Sequence, residues 1–309
     1  MPNVLIVETV GVIVSKRPID HLVLPVVELA KARARLTALG FTVAPDGFHP
    51  FGTSNACVFL GDGTYLEPLA VANRRQASTT AKRGNVFTER DLAFRGVRRR
   101  EGLSAVVVGT DDAPADHARF VEEGLSAGAM LEFSRPLKMP DGAESEGKFR
   151  LAFAADAAGG DTFLFACQRL AAFPSERGDL ERHANAVTGL AEVVFSAEEP
   201  AAFGKLFSTV LEAEAEAPTE QEAETGTLRF AAANAEVRIL SSAALSAEFN
   251  SAAPAFTPGL HARVVIFKTA DLAVTEITLA ANDVAFIRRD GRVLVSAAPG
   301  QGILFGFEE

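Results

Sequence analysis

An α+β fold built from four tandem copies of one βαβββ unit is predicted by three observations. Residues 19–71 read as a strand, a helix and three further strands. The run starting at His21 aligns without a gap on the run starting at Ala105. Two weaker echoes start at Glu192 and near Val264, so that the units begin near residues 19, 103, 190 and 262.

The elements of each unit have local causes. The first strand of each aligned pair is an apolar, β-branched run. An acid, Glu28 or Asp112, then stands at the helix start, where a carboxylate suits the helix dipole. Apolar residues recur at helical spacing, with Leu29, Ala32, Leu36 and Leu39 in one helix and Ala113, Phe120 and Val121 in the other. Both helices stop at glycine, Gly40 and Gly124. In the last unit, Arg289-Asp290-Gly291 and Pro299-Gly300 mark hairpin turns. The connectors are polar: residues 73–100, with one helix expected over Phe87–Arg95, and residues 171–189. The acidic stretch Glu212–Thr225 reads as a solvated loop or helix end, and Pro254 and Pro258 punctuate the approach to the last unit. A single unit covers only one face of its sheet. Pairing the units gives two domains, residues 1–170 and 190–309, joined by a linker at 171–189.

Composition sets the frame. A chain of 309 residues that is 48% hydrophobic and 23% charged is globular and long enough for two domains, each able to bury its own core. A formal charge of -10 argues against a nucleic-acid partner. Cys57 and Cys167 sit in apolar runs, which suits reduced thiols in the cytoplasm. The apolar stretch Val4–Val14 is too short to cross a membrane and reads as an extra strand or a leader. Exposed sheet edges are compatible with a homodimer. Glycine-rich phosphate loops, paired CxxC motifs, a GxSxG elbow and HExxH are all missing.

His21 on the first strand and Glu67 on the last strand of the first unit are both metal-competent. The surrounding residues are Asp20-His21-Leu22-Val23, the helix ending at Gly40-Phe41, His49 to Ala56, and Gly61 to Glu67. Further on stand Ser134-Arg135-Pro136, Phe149 to Phe153, and His183-Ala184-Asn185. With these residues the chain resembles the glyoxalase-like branch of the vicinal oxygen chelate superfamily over nearly its whole length after residue 18.

That resemblance implies paired modules around an open cleft and a divalent ion (Zn, Ni, Mn or Fe) held from the first and fourth strands. His21 and Glu67 are the matching residues here. The second unit offers Ala105 and Phe165, the third Glu192 and Arg238, and the fourth Val264 and Phe305, so the ligand set of the ring-cleaving dioxygenases is absent. His49 is the candidate third ligand.

The other candidates each carry two readings. Glu67 sits in an apolar run and is a general base if no metal binds. Arg135 and Arg150 form a fork for a carboxylate or enolate oxygen, or surface ion pairs with Asp141, Glu144 or Glu146. His49, Thr53 and Asn55 contact substrate or organise a turn. His183 and Asn185 line the cleft or cap the third unit. His117 is expected to face solvent, His261 to be structural, and Arg98-Arg99-Arg100 to be a solvated connector. The leading function is a metal-dependent lyase or isomerase acting on a small oxygenated metabolite. The alternative is a metal-free small-molecule binder of the bleomycin-resistance type, and a ring-cleaving dioxygenase stands third.

Overall fold

The computed structural model describes residues 16–97, 101–138, 144–171, 177–249 and 258–309. The Val4–Val14 stretch, the arginines at 98–100, Asp141 and Pro254 lie outside the described residues.

The first module comprises β1 (Ile19–Pro25), α1 (Leu29–Ala38), β2 (Gly47–Phe48), β3 (Thr53–Asn55), β4 (Val58–Phe59) and β5 (Tyr65–Val71). Two helices follow, α2 (Arg74–Lys82) and α3 (Val86–Val97). The second module is β6 (Ala105–Gly109), α4 (Ala113–Glu122), β7 (Leu131–Lys138), β8 (Glu144–Ala154) and β9 (Phe163–Arg169). The third runs β10 (Val187–Ser196), α5 (Gly204–Leu211), α6 (Glu220–Thr225), β11 (Leu228–Ala231), β12 (Glu236–Leu240) and α7 (Ser242–Phe249). The fourth is β13 (His261–Thr269), α8 (Leu272–Ala281), β14 (Ile287–Arg289), β15 (Arg292–Val295) and β16 (Leu304–Glu308).

The expected helix ends are present. Asp112 Oδ1 accepts from the Ala115 amide at 3.0 Å, and Gly40 and Gly124 take positive φ of 89° and 69°. The β14–β15 turn places Asp290 and Gly291 at φ of 48° and 80°, the pattern of a tight hairpin. Three expectations need correction. The connector after β5 holds α2 as well as α3, because Asn73 caps the Gln76 amide at 3.0 Å. The acidic stretch is partly ordered as α6 by a Thr219–Glu222 capping box. The third unit, in which α6 precedes β11, has three strands among its described residues.

The strands form two sheets. Among the described residues the N-terminal one has nine strands in the order β2-β3-β5-β1-β6-β9-β8-β7, with β4 also on β5. The C-terminal one has seven among the described residues, ordered β11-β12-β10-β13-β16-β15-β14. In each, two modules join through an antiparallel pair of first strands, β1 with β6 and β10 with β13. Side-chain alternation gives each sheet two faces. Leu22, Leu24, Val106, Val108, Leu164 and Ala166 point to the helix side. Val23, Leu69, Val107, Phe163, Phe165 and Cys167 line the hollow side.

The helix-side cores are continuous. One hydrophobic cluster takes in Leu36 and Phe120 from the N-terminal half and Phe207, Phe267 and Phe307 from the C-terminal half. Phe41 carries the join, with its ring 5.2 Å from Phe267 and 6.2 Å from Phe307. The halves therefore do not close off separate cores on this side. Phe41→Leu is expected to cost about 1–2 kcal/mol from lost ring contacts and packing. It should lower the melting temperature while leaving one calorimetric transition for both halves; two resolved transitions in the wild type would contradict the shared core.

The hollow of the C-terminal sheet is filled. Leu245 and Phe249 of α7 pack against Val194, Val264 and Ile266. Beside them Arg238 pairs with Glu192, and with Glu248 at 2.6 Å, while Arg292 pairs with Glu192 at 3.1 Å and Glu308 at 2.6 Å. Guanidinium groups thus stand where ligands to a cation would be needed. In the fourth unit the strand register puts Gly306, not Phe305, at the position matching Glu67, since Ile266 pairs with Gly306 as Val23 pairs with Glu67. Neither residue can ligate.

Candidate active site

The site grows from β1 and β5, which pair in parallel with His21 opposite Tyr65 and Val23 opposite Glu67. Their alternation sends His21 and Glu67 into the hollow, where His21 Nε2 lies 3.6 Å from Glu67 Oε2. Both residues are about 95% buried, at 4% and 5% exposure. Against β6 the strand has an irregularity between Ile19 and His21, so that Asp20 is an extra residue. The consecutive side chains Asp20 and His21 then meet, with Asp20 Oδ2 2.6 Å from His21 Nδ1. Arg169 at the end of β9 bonds the same carboxylate at 2.6 and 2.8 Å. Burial pushes the Asp20 carboxyl up, but His21 and Arg169 outweigh it and hold it below the usual carboxylate range. The Asp20 carboxylate occupies Nδ1 of His21, so Nε2 is the ring nitrogen that faces Glu67.

His49 approaches the other carboxylate oxygen, with Nε2 3.5 Å from Glu67 Oε1. Its Nδ1 is 2.9 Å from Thr53 Oγ1. Burial first, then the charges of Arg135 and His21, push His49 well below its usual pKa, so its ring is neutral. Asn55 Nδ2 donates to Glu67 Oε1 at 2.6 Å, and its Oδ1 lies 3.5 Å from an Arg135 nitrogen. Arg135 Nε is buried and has no hydrogen-bond partner among the described residues. Gly47 makes this chain of groups fit, since a Cβ there would meet Asn55 Oδ1 at 2.5 Å and Arg135 Nη1 at 2.6 Å.

Aromatic rings close the site. Tyr65 stacks on His21 at 4.5 Å and Phe51 on His49 at 5.0 Å. Phe165 meets His21 edge-on, and Phe133 meets both His49 and Phe51. The contacts of Phe133 and Arg135 with His49, Phe51 and Asn55 link the β7 edge of the sheet to its β2–β3 edge, so the sheet curls into a nearly closed barrel.

The structure therefore brings together His21, His49, Thr53, Asn55, Glu67 and Arg135. It separates three other candidates from them. Arg150 follows Phe149, which faces the hollow, so alternation turns Arg150 outward to pair with Glu132 at 2.6 Å. His183 accepts from the Thr42 amide at 3.0 Å and lies 2.9 Å from the Phe59 carbonyl. Asn185 bonds the Leu39 carbonyl and the Val187 amide. Both are held by backbone at the seam between the halves. Sequence reasoning missed Arg169 and the stacked Tyr65; Arg169 lies on the same face of β9 as Phe165 and Cys167, which was the one available signal. The two thiols are buried and free, and burial pushes Cys57 up to about 12, which makes it a poor nucleophile.

A divalent ion would need a third donor beside His21 and Glu67. His49 sits at the opposite oxygen, which already accepts from Asn55. The register matches His21 with Ala105 and Glu67 with Phe165, so the second module presents hydrocarbon. Among the described residues no three His, Cys, Asp or Glu side chains form a group that could hold a metal ion.

Two βαβββ modules joined by their first strands around a common hollow define the vicinal oxygen chelate fold. The sequence profile of the glyoxalase-like domain matches residues 19–211, and the chain belongs to that family. A hypothetical protein from Staphylococcus aureus has a similar structure, with a TM-score of 0.64 at 13% identity over 94% of this chain and 98% of that one. A triple mutant of 4-hydroxymandelate synthase from Streptomyces coelicolor superposes with a TM-score of 0.59 at 13% identity, covering 95% and 92% of the two chains. The Mn(II)-bound glyoxalase from Novosphingobium aromaticivorans gives 0.51 at 9% identity, covering 95% and 81%. No curated protein sequence matches the chain. Among the described residues no helix is long and apolar enough to cross a membrane.

Proposed function

We propose that the protein is a lyase or isomerase that moves a proton on a small oxygenated substrate with an apolar body, using Glu67 as the base. One observation carries this reading: a buried carboxylate whose ion-pair neighbours, among the described residues, are two imidazoles at 3.5 and 3.6 Å. Those separations are too long for hydrogen bonds. Glu67 Oε2 and His21 Nε2 converge 3.6 Å apart, the arrangement that receives a substrate hydroxyl or an acidic C–H. Glu67 takes the proton from carbon beside a carbonyl, and Arg135 receives the charge that develops on oxygen. Asp20, itself held by Arg169, fixes the orientation of the His21 ring. The rings of Phe51, Phe133 and Phe165 exclude water and bind the substrate's apolar part. No step depends on a metal ion.

The test is deuterium incorporation from D2O into a panel of enolisable 2-oxo acids and 2-hydroxy ketones, followed by proton NMR. The expected result is exchange at the carbon beside the carbonyl for at least one compound. Binding of apolar anions with no exchange in any compound would sink this reading. It would favour instead the metal-free binder, to which the hydrocarbon at Ala105 and Phe165 already lends support.

A further inference from the structure

A cavity of about 340 Å³ lies where the two halves meet. One face of α3 supplies Val86, Arg90 and Phe94, and Phe163 and His261 come from the starts of β9 and β13. The cavity is separated from the Glu67 hollow by the packed rings of Phe163 and Phe165, whose centroids are 5.9 Å apart.

Its wall is built by close backbone approach. The Leu260 amide donates to the Gly159 carbonyl at 3.1 Å, and the Asp161 amide to the Leu260 carbonyl at 3.2 Å. A Cβ on Gly160 would meet Leu260 backbone at 2.3 Å, and Gly160 has φ of 127°, so only glycine fits. This seam brings His261 Nδ1 to Asp161 Oδ1 at 2.6 Å.

Arg90 is the exception in this neighbourhood. Its guanidinium lies 5.3 Å over the Phe163 ring and makes no ion pair or hydrogen bond among the described residues. A half-buried cation on an aromatic floor, open to a cavity, suits an anion with a flat body. Glu89 and Asp161 line the same cavity. Their charges would repel a dianion such as a phosphate ester, so a single negative charge matches better. The volume lies near the lower end for small-molecule sites. We infer that this cavity is a second binding site, distinct from the Glu67 hollow, for a monocarboxylate with a flat apolar body, held by Arg90 over Phe163.

The test titrates the protein with benzoate and its neutral counterpart benzamide, followed by NMR. Benzoate should bind saturably and about tenfold more tightly than benzamide. Arg90→Gln should erase that preference. Ala93→Phe, at an exposed position lining the cavity, should weaken both probes by obstruction while keeping the charge. Arg135→Gln should leave benzoate binding unchanged. The inference is overturned if the wild type shows no saturable benzoate binding, or if Arg90→Gln leaves the preference intact. It is also overturned if Arg135→Gln alone removes binding, which would put benzoate in the Glu67 hollow. Should Arg90→Gln not fold, Ala93→Phe decides: unchanged benzoate affinity in that variant overturns the site.

Discussion

Glu67→Gln is expected to slow proton exchange about 10²–10⁴-fold, the usual contribution of a positioned general base. The substitution keeps the shape of the side chain and an oxygen that can accept from Asn55 Nδ2, now at 2.6 Å. The fold should therefore survive, with a melting temperature close to that of the wild type. The amide has no basic oxygen to take a proton, so the loss should fall on kcat more than on KM. Single-turnover exchange rates and circular dichroism on the same preparation separate the two effects. A variant that exchanges at the wild-type rate would remove Glu67 from the chemistry. His21 or His49 would then be the base.

Much of this site is legible in the sequence, and the reasons are physical. The family resemblance pairs a histidine on the first strand with a glutamate on the last of one module, and the register of Val23 with Glu67, together with a strand period of two, puts both on a common face. His49, Thr53 and Asn55 follow from the short hairpin between them. The same alternation argues against Arg150, because Phe149, Leu151 and Phe153 form the inward series on β8. Weighing arginines by their chemistry alone obscured that. Asp20 meets His21 because a one-residue bulge breaks the alternation that sequence reading relies on. Arg169 shares the inward face of β9 with Phe165 and Cys167, and its contact with Asp20 brings it into the site. His183 and Asn185 look like site residues because they are polar and sit before a module, yet their partners are main-chain groups, among them Thr42 and Leu39 of the N-terminal half. The plug in the C-terminal hollow was half visible. Glu192 and Arg238 were aligned as an unmatched pair, and the structure adds Glu248 of α7 and Arg292, which complete the neutralisation.

Arg169→Met is expected to destabilise the fold by about 3 kcal/mol at neutral pH, the lower end for breaking a buried ion pair. Asp20 is 8% exposed, while the Arg169 side chain keeps 27% of its surface in solvent, which moderates the loss. The sign of the pH dependence follows from Asp20. In the wild type its folded pKa is lowered, so its contribution is present above the unfolded value, about 3.9, and is lost as pH falls through the folded one. Without Arg169 the folded pKa of Asp20 rises, so less of that contribution remains. The gap between the two proteins should be widest near neutrality and should narrow as pH falls below about 3.9. Urea unfolding across that range measures it. A gap independent of pH would mean that Arg169 contributes packing and not charge. Asp20 would then orient His21 without its help, and exchange activity should be unaffected by the substitution.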